Sequence, residues 1–192
     1  MPLLATLKAE TTGAHAELEH SMDVFRQIRN ADDYRSLLRR FFTLYEPLEQ
    51  QLSRAVDWNA ASWDFAARLK TPWLRTDLFA LGASEPELTN WPRCAEFPRP
   101  ASLGEGVGVL YVLEGSTLGG QMISKHFNGM LGVTPETGGK FFAGYGPATG
   151  THWRAFGQWA ELQNDAGGRG VEQSAVQGAR KTFDAFSRWF AP

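Results

Sequence analysis

Cysteine is almost absent from this sequence: Cys94 stands alone among 192 residues. One thiol cannot close an intramolecular disulfide or build a cysteine-rich metal centre, which leaves packing as its expected role. Long apolar runs are missing too, and none approaches the ~18 residues needed to span a bilayer. The opening Met1-Pro2-Leu3-Leu4-Ala5-Thr6-Leu7-Lys8 lacks the basic n-region and full apolar h-region of a secretory leader. The expected compartment is the cytoplasm. Charge of neither sign is in excess. The 19 Lys and Arg against 21 Asp and Glu leave a net −2, giving no electrostatic pull toward nucleic acid or an anionic membrane. No phosphate loop with lysine and no dinucleotide or flavin fingerprint occurs, so any redox chemistry here needs electrons from outside. Histidine is scarce, and no set of His, Asp and Glu resembles the spacing of a zinc or di-iron site. Ser116 has no histidine or lysine at a spacing that suggests a triad.

What the chain does have is aromatics and oddly placed glycines. Seven Trp and thirteen Phe fit either an aromatic core or the surroundings of a large flat apolar ligand. Three glycines fall within the six residues Gly115-Ser116-Thr117-Leu118-Gly119-Gly120. The apolar run Val107-Gly108-Val109-Leu110-Tyr111-Val112-Leu113 precedes them, helix-compatible Gln121-Met122-Ile123-Ser124-Lys125-His126-Phe127 follows, and no turn cluster intervenes. Each glycine inside a helix costs roughly 1 kcal/mol relative to alanine. Something must therefore approach the backbone closely: either another helix at a tight crossing, or a flat ligand lying on the main chain.

The periodicity predicts an all-α, single-domain protein spanning residues 1–192. Leu3, Leu4, Leu7, Ala14, Leu18 and Met22 describe an amphipathic first helix, which Thr11-Thr12-Gly13 is expected to kink or delay. A second runs over 31–55 from Asp32-Asp33, with a bend expected at Pro47. Short helices are expected over 62–69 and 73–81, and irregular chain from 90 to 100. The glycine-bearing helix is expected from Ser102, an N-cap with Glu105 three residues on, to about Phe127. Residues 129–150 read as loop, 151–166 as helix, 166–170 as a turn and 171–190 as the last helix.

Of the histidines, His20 sits in a polar stretch, His126 near a helix end and His152 near a helix start. His15 differs, because Ala14 and Ala16 flank it and leave room over the imidazole.

Two segments then resemble a known family. Leu7-Lys8-Ala9-Glu10-Thr11-Thr12-Gly13-Ala14-His15-Ala16-Glu17-Leu18-Glu19 resembles the proximal helix of heme oxygenases. Tyr111-Val112-Leu113-Glu114-Gly115-Ser116-Thr117-Leu118-Gly119-Gly120-Gln121 resembles their glycine-rich distal helix, in wording closest to the bacterial branch that includes enzymes found beside bacteriophytochromes. Trp153-Arg154-Ala155-Phe156 and Gly178-Ala179-Arg180-Lys181-Thr182-Phe183-Asp184-Ala185-Phe186 also fit that branch, so the resemblance covers almost the whole chain.

The resemblance implies that heme is both substrate and cofactor, oxidised to biliverdin, carbon monoxide and ferrous iron. It implies His15 as the iron ligand, with Glu19 one turn on near the imidazole's other nitrogen. Gly115, Gly119 and Gly120 correspond to the distal glycines over which heme slides. Tyr111 and Phe183 correspond to pocket positions, and Lys8 and Arg154 to the cations that neutralise the heme propionates. Ser116 departs from the aspartate that many members carry there to hold distal water. The implied partners are a ferredoxin, flavodoxin or NAD(P)H-dependent reductase as electron donor, and a bacteriophytochrome as biliverdin acceptor. Two rivals accompany this reading: a heme-binding protein for sensing, transfer or storage without turnover, and a helical relative that binds a different small molecule.

Overall fold

The helical periodicity is realised in a computed structural model that describes residues 1–191. Nine α-helices and two 3-10 turns make up its regular structure among the described residues. The helices are α1 (Leu3–Met22), α2 (Val24–Gln27), α3 (Ala31–Ala55), α4 (Thr71–Ala80), α5 (Glu85–Asn90), α6 (Leu103–Leu131), α7 (Lys140–Ala143), α8 (Thr149–Gly167) and α9 (Arg169–Phe190).

Two expected breaks do not occur. In α1, the hydroxyls of Thr11 and Thr12 donate back to the carbonyls of Leu7 and Lys8 at 2.7 and 2.6 Å, which keeps both threonines inside the helix. In α3, Pro47 has no N–H to give the carbonyl of Thr43 one turn back. The backbone N–H of Cys94 takes that acceptor at 2.9 Å, so α3 continues through the proline. The Cys94 side chain is buried, as its packing role requires.

Elsewhere the boundaries shift. The helix expected over 62–69 shrinks to the 3-10 turn Ala66–Arg68, because Ser62 takes a positive φ of 54° that no helix tolerates. Ahead of the expected irregular connection, in a stretch with no predicted element, α5 forms where Ser84 and Glu87 make a reciprocal capping box. At its far end α6 runs to Leu131 and stops at Gly132, whose φ of 70° is the left-handed cap. The stretch read as loop over 129–150 thus holds the end of α6, all of α7 and the 3-10 turn Gly146–Ala148. Buried Asp77 accepts from the N–H groups of Lys140 and Phe141 at 2.8 and 2.7 Å and so starts α7 from a distant helix. Burial pushes its carboxyl up to about 6 against those two bonds.

Three long helices run side by side in one direction. Gly104 of α6 meets Val171 and Ser174 of α9, and one turn on Gly108 meets Ala175 and Ala179. Along α1, Thr6 bonds to Glu172, Glu10 pairs with Arg180, and His15 meets Phe183. Helix α8 runs the opposite way: Thr149 bonds to Gln121, Trp153 faces Gly115, and Gly157 packs on Leu4. The aromatics fill the core between these helices. Phe41, Tyr45, Phe141, Phe142, Phe186 and Phe190 interlock at centroid separations of 4.7–6.3 Å. A second group under α8 stacks Trp63 on Trp159 at 4.5 Å and Trp58 on Phe65 at 4.9 Å. Each such side chain contributes on the order of 2 kcal/mol by burial, enough to offset a helical glycine or two.

The α6–α9 crossing is the tightest contact in the fold. A Cβ on Gly108 would lie 2.0 Å from the carbonyl oxygen of Ala175, and one on Gly178 2.2 Å from that of Glu105. Neither obstacle is a side chain that can turn away. Gly108→Ala is therefore expected to destabilise the protein by about 3 kcal/mol through overpacking. By contrast, Gly129→Ala in the same helix, where a Cβ meets nothing within 4 Å, should be neutral or stabilising by up to about 1 kcal/mol. Urea denaturation of the two variants checks both signs.

Candidate functional site

Parallel helices carry His15 and the glycine segment. The phenol of Tyr111 on α6 lies beside the Thr11 hydroxyl on α1. Because α1 and α6 run in the same direction, one turn on from Thr11 and Tyr111 the two helices carry His15 and Gly115. The side chain of His15 is 57% exposed although α1 is packed against α9 at this level. The buried ring of Phe183 meets the imidazole edge-on at 5.7 Å and backs it from α9. On the other side, Nδ1 lies 3.7 Å from Oε2 of Glu19, beyond direct hydrogen-bond range, and Glu19 is itself exposed. Among the described residues no hydrogen bond engages Nε2. The imidazole is oriented, partly open and free to ligate.

Across from it, the glycines separate into two kinds. Gly119 is exposed, and a Cβ there would meet nothing within 4 Å. Gly115 would meet only the rim of Trp153 at 3.7 Å, an ordinary contact. Neither position is bare because another helix needs the room. Gly120 is different: it is buried, and its Cβ would come within 2.8 Å of the Phe142 carbonyl, so a backbone crossing with α7 accounts for it. Both explanations for helical glycine hold in one helix, at different positions. Gly104, Gly108 and Gly120 make room for neighbouring backbone, whereas Gly115 and Gly119 border open space.

Next to this bare surface stands a pair of hydroxyls. Ser116 is exposed toward the opening and donates to the Leu113 carbonyl at 2.9 Å. The phenol of Tyr45, on α3 and fully buried, donates to the Ser116 oxygen at 3.3 Å. Burial, with Glu49 and Glu114 adding to it, raises the Tyr45 pKa and holds the phenol in its protonated, donating form. Ser116 keeps a lone pair open and can rotate its proton outward, so the pair can either accept from or donate to a molecule in the cleft. Tyr45 escapes a reading of sequence alone, because it occupies a core position on α3 between Phe41 and Leu48. Its only local signal is a phenol on an apolar face, which must find a partner when buried.

The remaining sequence-derived positions fall around the cleft. Lys8 lies on the His15 side of α1, two helical turns away, or about 10 Å by helix rise. It is exposed. Arg154 is exposed on α8 beside Trp153 and donates to Thr151 at 3.1 Å. Neither cation pairs with a carboxylate among the described residues. The other histidines lie apart. His20 is exposed in the last turn of α1, His126 packs edge-on against Phe25 well before the end of α6, and His152 stacks on Tyr145 at 3.9 Å.

Comparisons with known proteins bear on the fold and the family. A protein described as heme oxygenase from Xanthomonas campestris pv. campestris (strain 8004) is 39% identical over 101 residues, which are 50% of this chain and 53% of that protein. The match thus spans about half the length of that relative. The fold is that of the NO- and CO-bound heme oxygenase from Neisseria meningitidis, with a TM-score of 0.78 over 99% of this chain and 90% of that one at 24% identity. The family profile described as heme oxygenase matches residues 1–192, and on that end-to-end match the chain belongs to the heme oxygenase family.

Proposed function

We propose that this protein degrades heme with dioxygen to biliverdin, carbon monoxide and ferrous iron, using electrons from a separate reductase. The observation that supports the reading is a pair of features on neighbouring helices: a half-exposed imidazole, His15, and a helix face without side chains at Gly115 and Gly119. A flat macrocycle would take a ligating nitrogen on one face and closely approachable backbone on the other, and these residues could supply them. The chemistry of the donor set also fits, since an imidazole held between Phe183 and Glu19 could supply a nitrogen to heme iron.

In this reading bound heme supplies the iron that activates dioxygen and the ring carbon that is oxidised. The chain's own residues bind, orient and hydrate. His15 would hold the iron, and Glu19, 3.7 Å from Nδ1, would orient the other ring nitrogen through its charge. Lys8 and Arg154 meet the propionates, which would be costly to bury without cations. On the distal side the main chain at Gly115 and Gly119 limits how far anything above the ring can stand from it. Ser116, backed by the Tyr45 phenol, holds water there in place of the family's frequent aspartate. Two hydroxyls, with burial holding the Tyr45 phenol protonated, donate hydrogen bonds without acting as a strong acid. A ferredoxin, flavodoxin or NAD(P)H-dependent reductase provides the electrons, and a bacteriophytochrome is a natural acceptor of the product. No helix among the described residues is long and apolar enough to cross a membrane. The cytoplasm is the proposed compartment.

Titrating the protein with hemin and adding ascorbate or a reductase tests the reading. A saturable Soret shift followed by its bleaching, with biliverdin on chromatography, is the expected result. A shift without product would leave a heme carrier, and no shift would point to another ligand. His15→Ala should remove the axial-nitrogen signature and most turnover, with the spectrum restored by added imidazole. Optical and EPR spectra identical to wild type would exclude His15 as the ligand.

Gly119→Ala separates a bare face kept for a ligand from one kept for folding. With open space at that Cβ, the apoprotein should melt at or above the wild-type temperature, by up to about 1 kcal/mol in stability. Biliverdin formation should nevertheless fall, because the methyl enters the slot. Lower apoprotein stability with normal turnover per folded molecule would reverse the assignment.

A further inference from the structure

Behind its bare face, α6 is fastened by polar groups. At 100° per residue, Gly115, Ser116 and Gly119 share one side of the helix, and Glu114, Thr117 and Gln121 lie on roughly the opposite side. Glu114 is 1% exposed. Its carboxylate is paired with the ammonium of Lys70, also 1% exposed, accepts from Arg68 at 3.1 Å, and accepts from the Tyr145 phenol at 3.0 Å. The network extends outward. Lys70 donates to the Arg68 carbonyl at 2.6 Å and to Tyr145 at 3.1 Å, while Arg68 donates to the His152 carbonyl at 3.3 Å and lies 4.4 Å over Trp63. Buried Glu49 of α3 accepts from the N–H groups of Lys70 and Thr71 at 2.7 and 3.0 Å, anchoring that segment in turn. Two turns beyond Glu114, the Gln121 amide donates to the Gly146 carbonyl at 3.0 Å and the Thr149 hydroxyl at 2.8 Å.

Stability alone is a poor reason for this construction. Burying an ion pair costs desolvation that its Coulomb attraction often fails to recover, and apolar replacements of similar volume frequently hold a fold as well or better. Burial indeed pulls the Lys70 pKa down, and Glu114 works against that. What directional bonds add is a fixed position. The segment needs one, because glycines at 115 and 119 leave no side chains to interlock on the site face.

We propose that Glu114 and Gln121 are positioning residues: through Lys70, Arg68, Tyr145 and the connection over 146–149 they set the height and rotation of the glycine segment over His15, and so select which edge of the bound ring meets Ser116 and Tyr45. The choice of ring edge rests on the heme reading above; the positioning itself does not. The decisive variant is the double replacement Glu114→Leu with Lys70→Met, which removes both charges of the closest pair and leaves Arg68 its bond to the His152 carbonyl. Gln121→Ala, at an exposed position, is the second variant should the first fold poorly.

Amide hydrogen exchange of the apoproteins is read together with melting temperature and, after hemin loading, the biliverdin isomer ratio. Exchange over 115–121 is expected to quicken about tenfold or more, with 103–110 unchanged beneath the α9 crossing and little change in melting. The isomer ratio should shift in both variants. Wild-type exchange over 115–121 with an unaltered ratio would overturn the proposal. So would a uniform rise in exchange along α6 with a lower melting temperature, the mark of a merely structural network. If wild-type protein forms no biliverdin, the heme reading fails, and apoprotein exchange still decides whether these residues hold the segment.

Discussion

Gly108 and Gly178 bring α6 and α9 to backbone contact, and the position of almost everything near the cleft follows from that contact. A hydrogen replaces a methyl group at each position, and two carbonyls occupy the space that the methyls would need. With the two helices pinned there in parallel, α9 carries Phe183 to the level of His15 and Phe186 to the level of Tyr45. The same contact fixes the register of α6, so that its second half emerges from the core with Gly115 and Gly119 opposite α1. Helix α1 is held to the same frame by Thr6 on Glu172 and Glu10 on Arg180. A close crossing in one half of a helix is thus the condition for a bare, exposed face in the other.

The cleft and its support divide the labour between weak and strong interactions. On the Ser116 side of α6 stand hydroxyls and main chain. Behind α6 the charges are buried and cross-linked, with Lys70, Arg68 and Tyr145 each bonded to Glu114. This separation keeps the buried charges off the bare face of the helix. It also leaves the electrostatic burden where water cannot compete. Tyr45 joins the two sides, since the buried carboxylates of Glu49 and Glu114 act on its phenol while its hydroxyl reaches Ser116.

Much of this was legible from residue order. The long helices announced themselves through period 3.6, and Ser102, the capping signal of α6, lies where the sequence places it. Two of the differences share a cause: a partner distant in sequence acts on a local signal. Pro47 does not end α3, because Cys94, far along the chain, takes the orphaned carbonyl of Thr43. The stretch from 129 to 150 contains helix because Asp77 supplies acceptors to the start of α7. Ser62 breaks its predicted helix through a positive φ that no composition rule at serine anticipates.

By itself the sequence determined the helical class, the pairing of one unusual histidine with one unusual run of glycines, and the resemblance that joins them. Periodicity and local composition act over one or two turns, and those features lie within that range. Only the tertiary structure decided which glycines are bare for which reason. Gly108 and Gly120 look no different from Gly119 in one dimension, yet the first two face carbonyl oxygens and the third faces open space. The partners of Ser116 and Glu114 were likewise beyond reach of the sequence. Tyr45, Lys70 and Tyr145 come from separate helices and loops, and it is the packing of those elements around α6, with burial that penalises any polar group left alone, that brings them together.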